Sequence, residues 1–158
     1  MPDLLVKLYD LKDDWSFIQS QADIGITIRK PIGPEKHNIL KWVKENFGIG
    51  WASETDVAFS NVPRTCFVAE KDRQFLGFSC YDATALGFFG PIGVHAEGRG
   101  KGTGKALLLA CMLDMKLKGY GYSIVGDASH EDWYAKCVGA MPIDDSKLSV
   151  YKNFVQES

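Results

Sequence analysis

At 158 residues, the chain has the length of one domain built on one core. Its 46% hydrophobic and 24% charged residues are the ordinary balance of a globular protein. A formal net charge of -2 excludes a broad basic field for a nucleic-acid backbone, so any cationic site must be local.

The N-terminal stretch MPDLLVKLYDLKDDW carries acids and no sustained apolar run, unlike a signal or transit peptide. No segment approaches the ~18 apolar residues of a membrane span. A cytoplasmic location is the resulting expectation, with no membrane and no nucleic-acid partner. Cys66, Cys80, Cys111 and Cys137 stand far apart without a CxxC or a Cys/His cluster. That spacing argues against zinc and against a disulfide framework, and reads as reduced core cysteine. No metal site is expected.

In chain order, LLVKL at 4–8 reads as a short strand, and DDWSFIQSQ as one or two helical turns. Ile24, Ile26 and Ile28 alternate with Gly25, Thr27 and Arg29, the period of a strand buried on one face. Pro31 to Pro34 break it. From Glu35, the apolar stripe Ile39, Leu40, Val43 and Phe47 predicts a helix stopped by Gly48. A shorter helix is expected over Ser53 to Phe59.

TCFVAEKD and QFLGFSCYDATA read as two strands joined by a polar hairpin turn. LGFFGPIGV is a third strand, interrupted by Gly90-Pro91, where a bulge or a parting of strands is expected because proline cannot donate to a ladder. Leu107, Leu108, Cys111 and Met115 mark a long helix ended by Gly119 and Gly121. YSIVG is a strand and SHEDWYAKCVG a helix, with Ser129 and Asp132 spaced as a capping box. The tail KLSVYKNFV is expected as the last strand. This order implies a mixed sheet with helices on its faces rather than a regular doubly wound one.

Between the third strand and the long helix lies HAEGRGKGTGKALL, with Gly98, Gly100, Gly102 and Gly104 alternating with Arg99, Lys101 and Lys105. Alternating glycine and cation before a helix points to an anion, because a helix N-terminus presents unpaired N–H groups and a positive partial charge. The nucleotide P-loop is excluded: Arg99 stands where its first glycine belongs, and Ala106 where a magnesium-binding hydroxyl belongs. The dinucleotide fingerprint GxGxxG also fails in all three frames, ending on Thr103, Lys105 or Leu107.

What does fit is Val94 followed by Arg99, Gly100, Gly102 and Gly104. This resembles the acetyl-coenzyme A motif of the GNAT superfamily of N-acetyltransferases, which runs Arg or Gln, two residues, Gly, one residue, Gly or Ala. Downstream, Tyr134 and Gly139 match a second motif of that superfamily, while Asp127 replaces its asparagine and Ala140 its aromatic residue. The resemblance covers the element order from 24 to 155 and is motif-specific over about 92 to 140.

The resemblance implies an α/β (α+β) fold: a mixed, mostly antiparallel sheet of six to seven strands, helices on both faces, and a splayed strand pair for the cofactor arm. It implies a single domain over 1–158, with 1–23 a candidate N-terminal extension. The backbone of Ile92, Gly93 and Val94 would hold the pantetheine. Arg99, Gly100, Lys101, Gly102, Thr103, Gly104 and Lys105 would hold the pyrophosphate, and no metal is needed. The implied reaction is direct attack of a small-molecule, amino-acid or peptide amine on the acetyl thioester in a ternary complex. The alternative is a non-catalytic module that binds or senses acyl-coenzyme A. A homodimer is compatible with either.

Tyr134 is implied as the general acid for the departing thiolate, and a phenol of pKa ~10 is protonated at neutral pH. The base stays open among Asp127, Glu54, Asp56, Asp82 and a water chain. His95 reads as a surface neighbour of the loop, and Cys80 as core. Trp51, Phe59, Phe88 and Phe89 either line an acceptor pocket or fill the core.

Overall fold

A computed structural model describes residues 1–156. Twelve elements follow in order: β1 (Leu4–Lys7), α1 (Ser16–Ala22), β2 (Thr27–Arg29), α2 (Lys36–Phe47), α3 (Ile49–Ser60), β3 (Cys66–Lys71), β4 (Gln74–Tyr81), β5 (Phe88–Val94), α4 (Thr103–Lys118), β6 (Tyr122–Val125), α5 (Glu131–Val138) and β7 (Met141–Pro142). The strands form one seven-stranded sheet in the order β2-β3-β4-β5-β6-β1-β7. Every neighbouring pair is antiparallel except β5–β6. This is the mixed sheet expected from the element order, and the mostly antiparallel one that the resemblance implies.

Helices cover both faces. On one face α4 buries Ala106, Leu107, Leu108, Cys111, Met112 and Met115 against Val6, Ile28 and Phe89, with Tyr134 and Val138 of α5 joining them. Each fully buried leucine there contributes about 1.5–3 kcal/mol relative to exposure. On the other face Ile39 and Val43 of α2 and Ala58 and Phe59 of α3 pack on Val68 and Phe78. Cys66, Cys80 and Cys111 are buried, as their apolar surroundings in sequence suggested.

The parting of strands occurs at Gly90-Pro91. β5 and β6 pair only through Phe88↔Ile124 and Phe89↔Val125. On the other side of β5, Tyr81 faces Phe89 while Ser79 faces Ile92, so Gly90 and Pro91 form a bulge against β4. Beyond Phe89, β5 remains attached to β4 but not to β6, and the two parallel strands fork.

Three local expectations are corrected. The tail is not a strand: Ser149–Tyr151 is a 3-10 turn, and the last strand is Met141–Pro142 beside β1. The alternating apolar residues of the tail, Leu148, Val150 and Phe154, are largely exposed, so their period had no sheet face to fill. Ser129 forms no capping box: His130 is the N-cap of α5, and the Ser129 hydroxyl pairs with His130 Nδ1 at 3.0 Å. β2 begins only at Thr27, because Ile24 and Gly25 close the end of α1 through backbone bonds to Gln21 and Ala22. Residues 1–23, read as a candidate extension, supply β1 between β6 and β7, together with α1.

Candidate active site

The fork between β5 and β6 opens a cleft of about 680 Å³. Its walls include Gly90 to Val94 of β5, and Val125 with the Gly126–His130 segment that follows β6. Arg99 and Gly104 border it where β5 runs into α4. Trp51 and Glu54 of α3, Thr84 of the β4–β5 loop, Tyr151, Trp133 and Tyr134 complete it. Seven residues of β5 at ~3.3 Å per residue separate the Thr84 side from the Arg99 side, so the cleft has two ends about 20 Å apart.

At the Arg99 end the chain turns sharply into α4. Gly100 and Gly102 have φ of 78° and 77°, a left-handed backbone that a side-chain-bearing residue occupies at a cost of ~1–2 kcal/mol. Gly102 is the N-cap of α4 and has no side chain to cap the first turn, so the leading N–H groups are not claimed by one. Arg99 Nε lies 3.4 Å from the Val94 carbonyl, tying the cation to the end of β5. Lys101, Gly102 and Lys105 border a second depression on the α1 side of the loop. The glycine run is therefore a wall between two hollows, and its cations are divided between them.

In mid-cleft stands Tyr134. Only 8% of it is exposed, and its ring meets Trp133 and Phe89 edge-on. Its hydroxyl has no protein hydrogen-bond partner among the described residues. Burial, with a smaller push from Cys137, raises its pKa to about 12, so the phenol keeps its proton at any physiological pH.

Residues 63–137 match the family model of the acetyltransferase (GNAT) domain. This segment is therefore similar to a GNAT domain. No curated protein matches by sequence. Among solved structures, one similar chain is the GCN5-related glucosamine N-acetyltransferase region of a fungal multi-domain GH3 β-N-acetylglucosaminidase, at 16% identity and a TM-score of 0.73 over 90% of this chain and 19% of that one. A second is a GCN5-related N-acetyltransferase from Sphaerobacter thermophilus, at 19% identity and a TM-score of 0.67 over 90% of this chain and 48% of that one. A third, from Kribbella flavida, shares 14% identity at a TM-score of 0.55 over 89% and 53%. The chain thus spans about half or less of the length of these relatives, and at such identities the likeness is one of GNAT fold.

The sequence candidates divide cleanly on this GNAT frame. Ile92, Gly93, Val94, Arg99, Gly104 and Tyr134 share the cleft, and so do Glu54 and Asp127. Asp56 does not, since it pairs with Lys36 at 3.0 Å. Asp82 is buried elsewhere, accepting from the Tyr120 hydroxyl at 2.6 Å and the Gly87 N–H at 2.7 Å. His95 Nδ1 accepts from the Glu97 N–H at 3.2 Å, within its own loop. Cys80 is fully buried, and desolvation pushes its thiol far above the ordinary range, which removes it as a nucleophile. Trp51 and Phe89 line the cleft, whereas Phe59 is core and carries the Arg64 guanidinium on its ring. Phe88 packs over Gly126.

Two residues that hold the walls of the cleft escaped sequence reasoning. Gln21 of α1 is buried beneath the glycine loop, donating to the Lys101 carbonyl at 2.9 Å and accepting from the Thr103 hydroxyl at 2.7 Å. Asp3 is buried at the other end, accepting from the Asp127 N–H at 3.0 Å and the Ser149 hydroxyl at 2.8 Å. Neither has a local motif. Gln21 is one of several polar residues in its segment, Ser16 to Asp23, so nothing in the sequence singles it out.

Proposed function

We propose that the protein is an acetyl-coenzyme A-dependent N-acetyltransferase that acetylates a primary amine of a small molecule, amino acid or peptide by direct attack in a ternary complex. The observation that carries this reading is the unpartnered hydroxyl of the buried Tyr134 in a strand fork whose one end is the uncapped start of α4. The residues fit the cofactor. A fork edged by the free backbone of Ile92, Gly93 and Val94 suits the amide-bearing pantetheine arm. The turn from Arg99 to Lys105, with its positive φ at Gly100 and Gly102, suits a pyrophosphate.

Acetyl-coenzyme A supplies an activated acyl thioester and a thiolate leaving group. β5 orients the acyl end in the fork through its free backbone groups, and an N–H at or near Val94 polarises the carbonyl. The amine, neutral when it attacks, forms the new C–N bond as the C–S bond breaks. Tyr134 gives its proton to the departing sulfur, and the proton shed by the amine leaves to water in the cleft. Solvent then reprotonates Tyr134.

The test mixes the protein with acetyl-coenzyme A and a panel of amines and follows free thiol. Amine-dependent release is expected. Cofactor binding without release for every amine would support a binding or sensing module instead.

A further inference from the structure

The wall of the cleft that faces the fork from outside the glycine motif is built by other segments. α3 contributes Trp51 and Glu54, the β4–β5 loop contributes Thr84, and the C-terminal segment contributes Tyr151. The Glu54 carboxylate accepts from the Thr84 hydroxyl. Among the described residues Glu54 has no cationic partner. Tyr151 shares the cleft with both acids: burial raises its pKa most, a hydrogen bond with Thr84 opposes this, and the charges of Glu54 and Asp127 add to the rise. Trp51 is 37% exposed and held in place by stacking on Phe47, at 5.5 Å between ring centres.

The charges of the cleft are therefore polarised along its length. Arg99 stands at the α4 end, and the far end holds Glu54 with Asp127 nearby. Asp127 already faces the Met1 amino group at 3.7 Å, an exposed pair of little strength. Glu54 is thus the less committed carboxylate, and it shares the cleft with the rings of Trp51 and Tyr151. A carboxylate in a cleft that also presents aromatic rings favours an ammonium ion and repels an anion. The same cleft is lined by Tyr134, a residue more than nine-tenths buried whose hydroxyl has no protein partner, which leaves a donor for a ligand.

We infer that this end is an acceptor subsite for an amine bearing a second ammonium group, a diamine or polyamine without a neighbouring carboxylate, with Glu54 as its counter-ion and Trp51 and Tyr151 flanking it. This rests on the acetyl-transfer reading and narrows its substrate class. A nitrogen that forms the new bond commits its lone pair to carbon, so it is not the ammonium facing Glu54. The group held there is a second nitrogen of the same molecule. A free amino acid brings a carboxylate into an end already lined by two acids, and is disfavoured.

The test is equilibrium binding to the protein loaded with coenzyme A, which has no acyl group to transfer. The probes are 1,4-diaminobutane, butylamine and lysine with its carboxylate free. We expect diaminobutane to bind about tenfold or more tighter than either other amine, and Glu54→Gln to erase that preference while leaving coenzyme A affinity unchanged. Equal affinity for diaminobutane and butylamine overturns the inference, whether or not the variant folds. Retention of the preference in Glu54→Gln overturns Glu54 as the counter-ion. Thiol release from acetyl-coenzyme A, run in parallel, separates the two readings. Release without diamine preference sinks the subsite and leaves the transferase; diamine preference without release keeps the subsite and sinks the transferase.

Discussion

Gln21 and Thr103, 82 residues apart, meet beneath the glycine loop, where the buried Thr103 hydroxyl donates to the Gln21 carboxamide oxygen at 2.7 Å. The amide nitrogen of the same side chain donates to the Lys101 carbonyl at 2.9 Å, so α1 grips the loop on both sides of Gly102. Gln21→Leu should leave Thr103 buried without a partner and destabilise the fold by about 1–3 kcal/mol. Coenzyme A affinity should fall with it, since the loop loses its support. The double variant Gln21→Leu with Thr103→Val should recover part of the stability, because both polar partners are then gone. Chemical denaturation and cofactor titration of all three proteins check this. Full additivity of the two substitutions would mean that the pair does not act as a unit.

Tyr134→Phe should lower turnover by about 10²-fold while leaving cofactor affinity nearly unchanged, as expected for a group acting on the leaving sulfur. The shifted phenol also has a signature in stability. Burial raises its pKa to about 12 in the folded protein, above the ordinary phenol value of ~10, so the unfolded chain loses this proton first. Above pH ~10 the native state binds more protons than the unfolded one, and stability falls until pH ~12, by about 2–3 kcal/mol from this group. Below pH ~10 its contribution is fully present. Denaturation midpoints measured from pH 8 to 12 should drop less steeply for Tyr134→Phe than for the parent. Identical slopes would place the phenol in a solvated environment.

The parts of the site legible in sequence are those with a local physical signature. Alternating glycines before an apolar helix announce a left-handed turn and an uncapped helix start, and both are present at Gly100 and Gly102. Gly90-Pro91 announced a break in pairing, and the fork begins there. What supports these features was not legible, because it comes from distant segments. Gln21, Asp3 and Tyr151 gain their meaning only when α1, β1 and the C-terminal turn are folded onto β5 and β6. The last strand was misplaced for a related reason. Met141–Pro142 is too short and proline-bearing to read as a strand, and its pairing with Leu4 and Leu5 of β1 is wholly tertiary.

Gly93 couples the floor of the cleft to its aromatic end. A β-carbon there would stand 2.7 Å from the Phe47 ring, closer than real contacts allow, and Phe47 in turn stacks on Trp51. Gly93→Ala should displace Phe47, cost about 1–3 kcal/mol in stability, and raise KM for the acceptor through loss of the Trp51 seat. Gly50→Ala makes a matched control on α3, because a β-carbon there meets nothing within 4 Å. It should leave both quantities within ~0.5 kcal/mol or slightly improved. Thermal unfolding with acceptor kinetics decides the matter, and equal behaviour of the two variants would refute the coupling.

Asp3 joins the N-terminal strand to both walls of the acceptor end. Its two carboxylate oxygens take the Asp127 N–H and the Ser149 hydroxyl, while its own N–H donates to the Ser146 hydroxyl at 2.8 Å and its carbonyl receives the Ile143 N–H at 2.8 Å. The side chain thus fixes where Asp127 leaves β6 and where Ser149–Tyr151 turns, two residues before Tyr151 enters the cleft. Asp3→Ala should cost about 1–3 kcal/mol and raise acceptor KM, with coenzyme A affinity much less affected, because the α4 end does not depend on it. Asp3→Asn should retain most of both properties: its amide oxygen can accept from Asp127, and its amide nitrogen can donate to the Ser149 oxygen. Rescue by asparagine but not alanine distinguishes hydrogen-bonded positioning from a need for charge. An acceptor KM unchanged in Asp3→Ala would mean that the C-terminal segment does not form a wall of the acceptor end.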